Sequence, residues 1–267
     1  MADLKEKRKW DAIAFEHQEV FEKRQNEYSI RLMTFLKEKE MFWPGCRVLD
    51  VGCGVGKYGV YFARLGCDVT LTDISDEMLN LASKNMESFD TPWRVYAGDF
   101  NDFTGKEDVF KEGFDLSIST MSPAIHDYIT VKKLSDMTKG HCFITKFYDW
   151  KQPFRDILGA AMGEKMTPRI EKGKESCGIV VQAVKEAGFE PNVIFVDYNW
   201  SDKRTPEEMA DYLLRHEWRD RDDKDLLREK ATKACSKLSK DGTVDDCVNT
   251  KVAWIYWNTR RDMNGII

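Results

Sequence analysis

Three acids and a run of glycines are the residues of this chain whose types and spacing could do chemistry. Asp50, Gly52, Gly54 and Gly56 fall on alternate positions, and Asp73 and Asp99 follow downstream. Glycines at this spacing let backbone approach a ligand closely, because no Cβ stands in the way. A short carboxylate with two acceptor oxygens suits a vicinal diol such as a ribose. Two ligands compete for such a site. Gly54-Val55-Gly56-Lys57-Tyr58-Gly59 matches G-x-G-x-x-G, which in a dinucleotide site places a pyrophosphate on a helix N-terminus. Asp50, at the tip of the strand that feeds the turn, would repel that anion. The same acid is welcome if the ligand carries an ammonium and a sulfonium.

These residues need a strand, a turn, a helix and a second strand to bring them together, and 46–73 supplies that order. Residues 47–51 are a short apolar run with one acid. Tyr58, Tyr61, Phe62 and Leu65 follow at the spacing of a helix with one buried face. Gly66 sits where a helix C-cap glycine belongs. Val69 and Leu71 then alternate as on a strand that ends at Asp73. This is a β-α-β unit of the nucleotide-binding kind.

The D-x-G-x-G-x-G pattern from Asp50 to Gly56 resembles motif I of the class I S-adenosylmethionine (SAM)-dependent methyltransferases. Gly98-Asp99-Phe100 after a third strand at 93–97, and Glu186-Ala187-Gly188-Phe189 before a sixth, resemble further junctions of that family. The resemblance implies SAM as cofactor, with S-adenosylhomocysteine (SAH) as product. It implies that Asp50, Gly52, Cys53, Gly54 and Gly56 surround the methionine part. Asp73 would accept from the ribose hydroxyls and Ile74 would lie against adenine. Asp99 would bond the adenine amine, with Phe100 beside it, and Thr120 would open the loop facing the methyl group. The implied fold is α/β: a Rossmann-like, doubly wound, seven-stranded sheet whose last strand runs antiparallel.

On that reading 1–267 is one methyltransferase domain. Residues 1–44 form a helical cover, 45–200 the cofactor-binding core, 201–249 a helical insertion or lid, and 250–267 the final strand and tail. Thr205-Pro206-Glu207-Glu208 marks a helix start inside the insertion: Thr as N-cap, Pro at N1, acids in the first turn. A helix is expected over 131–139 and strands over 114–119, 141–150, 192–200 and 251–257. The loop at 120–127 holds Met-Ser-Pro-Ala where base-amine methylases of the family resemble [DNS]-P-P-[YFW], so an acceptor that must be stacked as a flat base is disfavoured.

If the acceptor arrives protonated, a base is required, and His126 with Asp127 are the catalytic candidates near that loop. Tyr58, Tyr148 and Trp150 are candidate substrate contacts, and Lys146, Lys151, Arg155 and Lys174 could meet an acidic group. No metal ligand spacing is present.

With 267 residues, 42% hydrophobic and 33% charged, the chain can bury a full core. A net charge of −5 disfavours nucleic acid as partner, because phosphate contacts need a basic face. No apolar run approaches the ~20 residues of a membrane span. Seven scattered cysteines without a C-x-x-C pair suit a reducing cytoplasm. Three functions fit: a methyltransferase for a small molecule, a methyltransferase for protein or RNA, and a non-catalytic SAM-binding protein. A monomer or homodimer is expected.

Overall fold

The structure is a computed structural model that describes residues 4–23, 27–167 and 172–260. Charged residues interrupted by an apolar stripe form α1 (Leu4–Lys23) and α2 (Glu27–Glu38). The stripe of α1 packs as its spacing requires: Ala14 joins Val55 and Met78, flanked by Trp10, Ile13, Phe21 and Leu81. Trp43-Pro44-Gly45 then turns the chain into β1 (Arg47–Val51). Val48, Leu49 and Val51 are fully buried, as in a strand covered on both faces.

The expected β-α-β unit follows as α3 (Lys57–Arg64) and β2 (Asp68–Asp73). Next come α4 (Asp76–Met86), β3 (Trp93–Ala97) and β4 (Phe114–Thr120). Ser75 caps α4, accepting from Met78 N at 3.1 Å. The chain continues through α5 (Tyr128–Asp136), β5 (Thr138–Lys151), α6 (Pro153–Met162) and α7 (Gly173–Glu186). It closes with β6 (Asn192–Arg204), α8 (Pro206–His216), α9 (Lys224–Leu238) and β7 (Val244–Asn258).

The seven strands lie in the order β3-β2-β1-β4-β5-β7-β6. β1 pairs in parallel with β2, Arg47 opposite Asp68, and with β4, Asp50 opposite Ile118. β7 runs antiparallel to its neighbours, which is the expected doubly wound sheet with a reversed final strand.

The helix expected over 131–139 begins and ends earlier. Asp127 caps it through a capping box with Thr130, so the first turn forms at Tyr128, and β5 has already begun at Thr138. β5, β6 and β7 are also longer than their apolar centres suggest.

Contacts divide the chain into two units. The first holds the described residues up to Lys146, Lys174–Phe195 and the described residues from Ala253 onward. Its core is built on the sheet, where Trp254 packs against Phe35 and Phe143 with ring centroids 5.2 and 5.7 Å away. Both buried indole N–H groups are satisfied: Trp254 donates to Tyr28 Oη at 2.8 Å and Trp257 to Ser135 Oγ at 3.1 Å.

The second unit holds Phe147–Gly173 and Val196–Val252. The insertion expected at 201–249 is thus the larger part of a unit that also takes in α6. Leu158, Met209, Leu213, Trp218, Leu227 and Ala231 form its core. α8 starts as expected, with Thr205 and Glu208 making a reciprocal capping box. Arg155 and Glu217 pair inside this unit, each side chain 4% exposed.

Candidate functional site

The glycine turn is fixed by backbone bonds and by what lies opposite it. Gly52 N and Cys53 N both donate to Thr72 O, at 2.8 and 3.0 Å, which folds the turn back onto the end of β2. Gly52 has φ +68°, and a Cβ there would stand 1.9 Å from Ser122 Oγ. Only glycine fits, because both the backbone conformation and the space exclude a side chain. Gly54 N donates to Asp73 Oδ2 at 2.9 Å, and Gly56, φ +78°, leads into α3.

Asp50 ends this cradle from below. It is completely buried, and neither carboxyl oxygen has a hydrogen-bond partner. Burial, with a smaller push from the Asp73 charge, raises its pKa to about 8. A carboxyl sealed from water without a donor is costly unless it is neutral or meets a cation. The Cys53 thiol is pushed up for the same reasons, burial first and then Asp73 and Asp50.

Asp73 stands at the tip of β2. Its Oδ1 accepts from Ser75 N and its Oδ2 from Gly54 N, both at 2.9 Å. These backbone donors leave acceptor capacity on the carboxylate that a cis-diol could use. Burial raises its pKa, and the backbone bonds oppose that shift. Ile74 is half-buried beside it.

Asp99 follows β3 and spends one oxygen on its own turn. Asn101 N and Nδ2 donate to Oδ1 at 2.8 and 2.9 Å. Oδ2 takes neither bond. Phe100 is buried against Phe103, ring centroids 5.8 Å apart. Thr120 closes β4 opposite Thr145.

The fold therefore gathers Asp50, Gly52, Cys53, Gly54, Gly56, Asp73, Ile74, Asp99, Phe100 and Thr120 at the carboxyl ends of β1, β2, β3 and β4. That edge is where open α/β sheets bind ligands. The other candidates are distributed differently. Tyr58 is buried in α3. Tyr148 and Trp150 belong to the second unit, where Trp150 meets Trp200 at 5.1 Å. Asp127 is occupied as the cap of α5: its Oδ1 accepts from Thr130 N and Oγ1 at 2.9 and 2.7 Å. His126 is half exposed, its Nε2 3.8 Å from Asp127 Oδ2. Arg155, a candidate for an acidic ligand, is buried in its pair with Glu217.

Sequence reasoning missed a second layer. Asp11 of α1 accepts from Ser75 Oγ at 2.6 Å, which ties α1 to the residue two positions after Asp73. Gln18 and Asn85 exchange bonds of 2.8 and 3.0 Å, and Asn85 also donates to Val55 O in the glycine turn at 2.9 Å. Lys146 donates to Ser122 O at 3.2 Å. None of these pairs has a local sequence signal, since each joins residues far apart in the chain.

Comparison with known proteins bears on this site directly. Residues 48–139 match the family described as the methyltransferase domain. That span, about a third of the chain, is similar to a methyltransferase domain. It carries Asp50, the glycine turn, Asp73, Asp99 and the loop after β4. A relative from Methanocaldococcus jannaschii, provisionally named a ribosomal RNA large subunit methyltransferase, is 30% identical over 124 residues, 46% of this chain and 30% of that protein. A magnesium-protoporphyrin O-methyltransferase of Rhodobacter capsulatus is 45% identical over 42 residues, 16% of this chain and 19% of that protein. The chain thus spans less than a third of the length of either curated relative. In fold, the chain is similar to the YcgJ protein of Bacillus subtilis, with TM-score 0.54 and 16% identity over 88% of this chain and 100% of that one.

The residues present fit a cofactor with a cationic methionine end. The buried, unpartnered Asp50 carboxyl lacks a counter-charge, which a cationic group would supply.

Proposed function

We propose that the protein transfers a methyl group from SAM to a small-molecule acceptor. The buried Asp50 carboxyl, without a donor at the floor of a glycine cradle, is the observation that carries the reading. SAM supplies an electrophilic methyl group on a sulfonium, so the protein's task is positioning and electrostatics. Asp50 would face the cationic methionine end. Asp73 would take the two ribose hydroxyls on its remaining acceptor sites. Asp99 Oδ2 would accept from the adenine amine, and Ile74 would cover one face of the ring. His126, half exposed beside the loop after β4, is the candidate to take a proton from an acceptor that needs to lose one. Tyr58, Tyr148 and Trp150 remain candidate substrate contacts. None of the seven cysteines is in a disulfide, which suits a reducing, cytoplasmic setting.

Small acceptors are favoured by the net charge of −5 and by the loop at 120–127, which lacks an aromatic after its proline. A cleft along α5 supports a second reading, RNA methylation, because Lys111, Lys132, Lys133 and Lys139 line it. Asp136 and Asp108 answer two of those charges, however, through Lys132 and Lys111. Titration calorimetry with SAH tests the cofactor: absence of binding would end the proposal. Labelled SAM supplied with separate small-molecule, RNA and protein fractions then tests the acceptor. Label carried only by RNA or protein would replace the small-molecule reading.

A further inference from the structure

Lys146 is the last residue of β5 within the first unit. Thr145 pairs with Thr120 at the end of β4, so Lys146 stands level with Met121 at the ligand-binding edge of the sheet. It is 8% exposed, and its Nζ donates to the Ser122 carbonyl at 3.2 Å. Among the described residues no carboxylate pairs with it. The titratable group that acts on it is the Cys177 thiol of α7. A buried ammonium without a counter-charge costs stability that an aliphatic side chain would not. Such a residue persists where it serves the site rather than the core.

What Lys146 holds is the contact between two loops. Ser122 lies so close to Gly52 that a Cβ on that glycine would overlap its hydroxyl. The preceding residue, Met121, has φ +51°, a left-handed conformation costly for a side chain of its size. Its N–H donates to Thr145 O and Oγ1 at 3.0 and 2.9 Å. Consecutive residues of β5 therefore grip consecutive residues of the loop: Thr145 holds Met121 and Lys146 holds Ser122.

We propose that Lys146 is a positioning residue for methyl transfer, whose ammonium pins the Ser122 carbonyl and so sets the loop after β4 against the Gly52 wall of the cofactor cradle. The proposal rests on reading that cradle as the SAM site. The test compares wild type, Lys146→Met and Lys146→Arg by hydrogen exchange, SAH calorimetry and thermal unfolding. Lys146→Met should speed exchange of the 121–125 amides about tenfold and weaken SAH about tenfold, the scale of one charge-assisted hydrogen bond. Its Tm should stay level or rise, because a buried unpaired charge has been removed. Lys146→Arg should return both loop protection and SAH affinity toward wild type. Loop exchange and SAH affinity within about twofold of wild type in Lys146→Met would overturn the proposal. So would a fall in Tm with uniformly faster exchange, the mark of a merely structural lysine. Wild-type protein that gives no heat with SAH would defeat the cradle reading instead. Loop exchange and Tm would then decide the positioning role by themselves.

Discussion

Asp50 and Asp73 sit one strand apart and behave differently. Asp73 is bonded through both oxygens, while Asp50 has no donor at all. With its pKa raised from 3.8 to about 8, Asp50 is protonated in the ligand-free protein at neutral pH. A cation placed beside it would drive the proton off. SAH binding near pH 7 should therefore release close to one proton, measured as a difference in heat between buffers of unlike ionisation enthalpy. Asp50→Asn should abolish the release. A raised folded pKa also means that Asp50 favours folding below its unfolded pKa and that this contribution is lost as pH rises to about 8. The stability gained by Asp50→Asn over wild type should grow from pH 4 to pH 8 and exceed about 1 kcal/mol at the upper end, read by urea unfolding. Asp73→Ala should weaken SAH by about 1–3 kcal/mol, because it removes the acceptors for the diol. Unchanged affinity by calorimetry would remove Asp73 from the site.

The elements around the site divide into those that sequence periodicity exposes and those that only contact reveals. β1, α3 and β2 were legible because an apolar run, a 3.6-residue stripe and an alternating run succeed one another between glycines. The cap of α8 at Thr205 was legible from side-chain chemistry within four residues. Asp127 shows the opposite case. An acid next to a histidine in a ligand-facing loop reads as a catalytic pair, yet its carboxylate is bound by Thr130 at the first turn of α5. Asp127→Ala should cost about 1 kcal/mol of stability, the usual value of an N-cap, with SAH affinity unchanged. α1 was legible as an amphipathic helix, but its polar tie to the cofactor edge was not, because Asp11 and Ser75 lie 64 residues apart. Asp11→Ala should raise amide exchange in α1 and in the first turn of α4 together. Faster exchange confined to α1 would show that the tie does not reach α4.

Across the whole molecule, the residues that match the methyltransferase domain, 48–139, lie in the first unit. The Asp50–Asp99 site falls inside the first unit, and the aromatic residues offered as substrate contacts, Tyr148 and Trp150, fall inside the second. Their alternation along β5 gave no warning of the division, since one continuous strand crosses it. The second unit has its own buried ion pair, Arg155 with Glu217, and Glu217 also accepts from Thr167 N at 2.6 Å. Removing one partner strands a buried charge, so Arg155→Leu should destabilise by about 3–5 kcal/mol in denaturant unfolding. The order of the strands has a consequence for the growing chain. β6 borders only β7, and β7 separates it from β5. During synthesis β6 emerges before α8, α9 and β7, with no neighbour to pair with. Until β7 arrives, the newly made sheet ends in the bare edge of β5, and two unpaired strands wait on the ribosome for the same partner. A chaperone that shields strand edges would find its longest-lived client surface there.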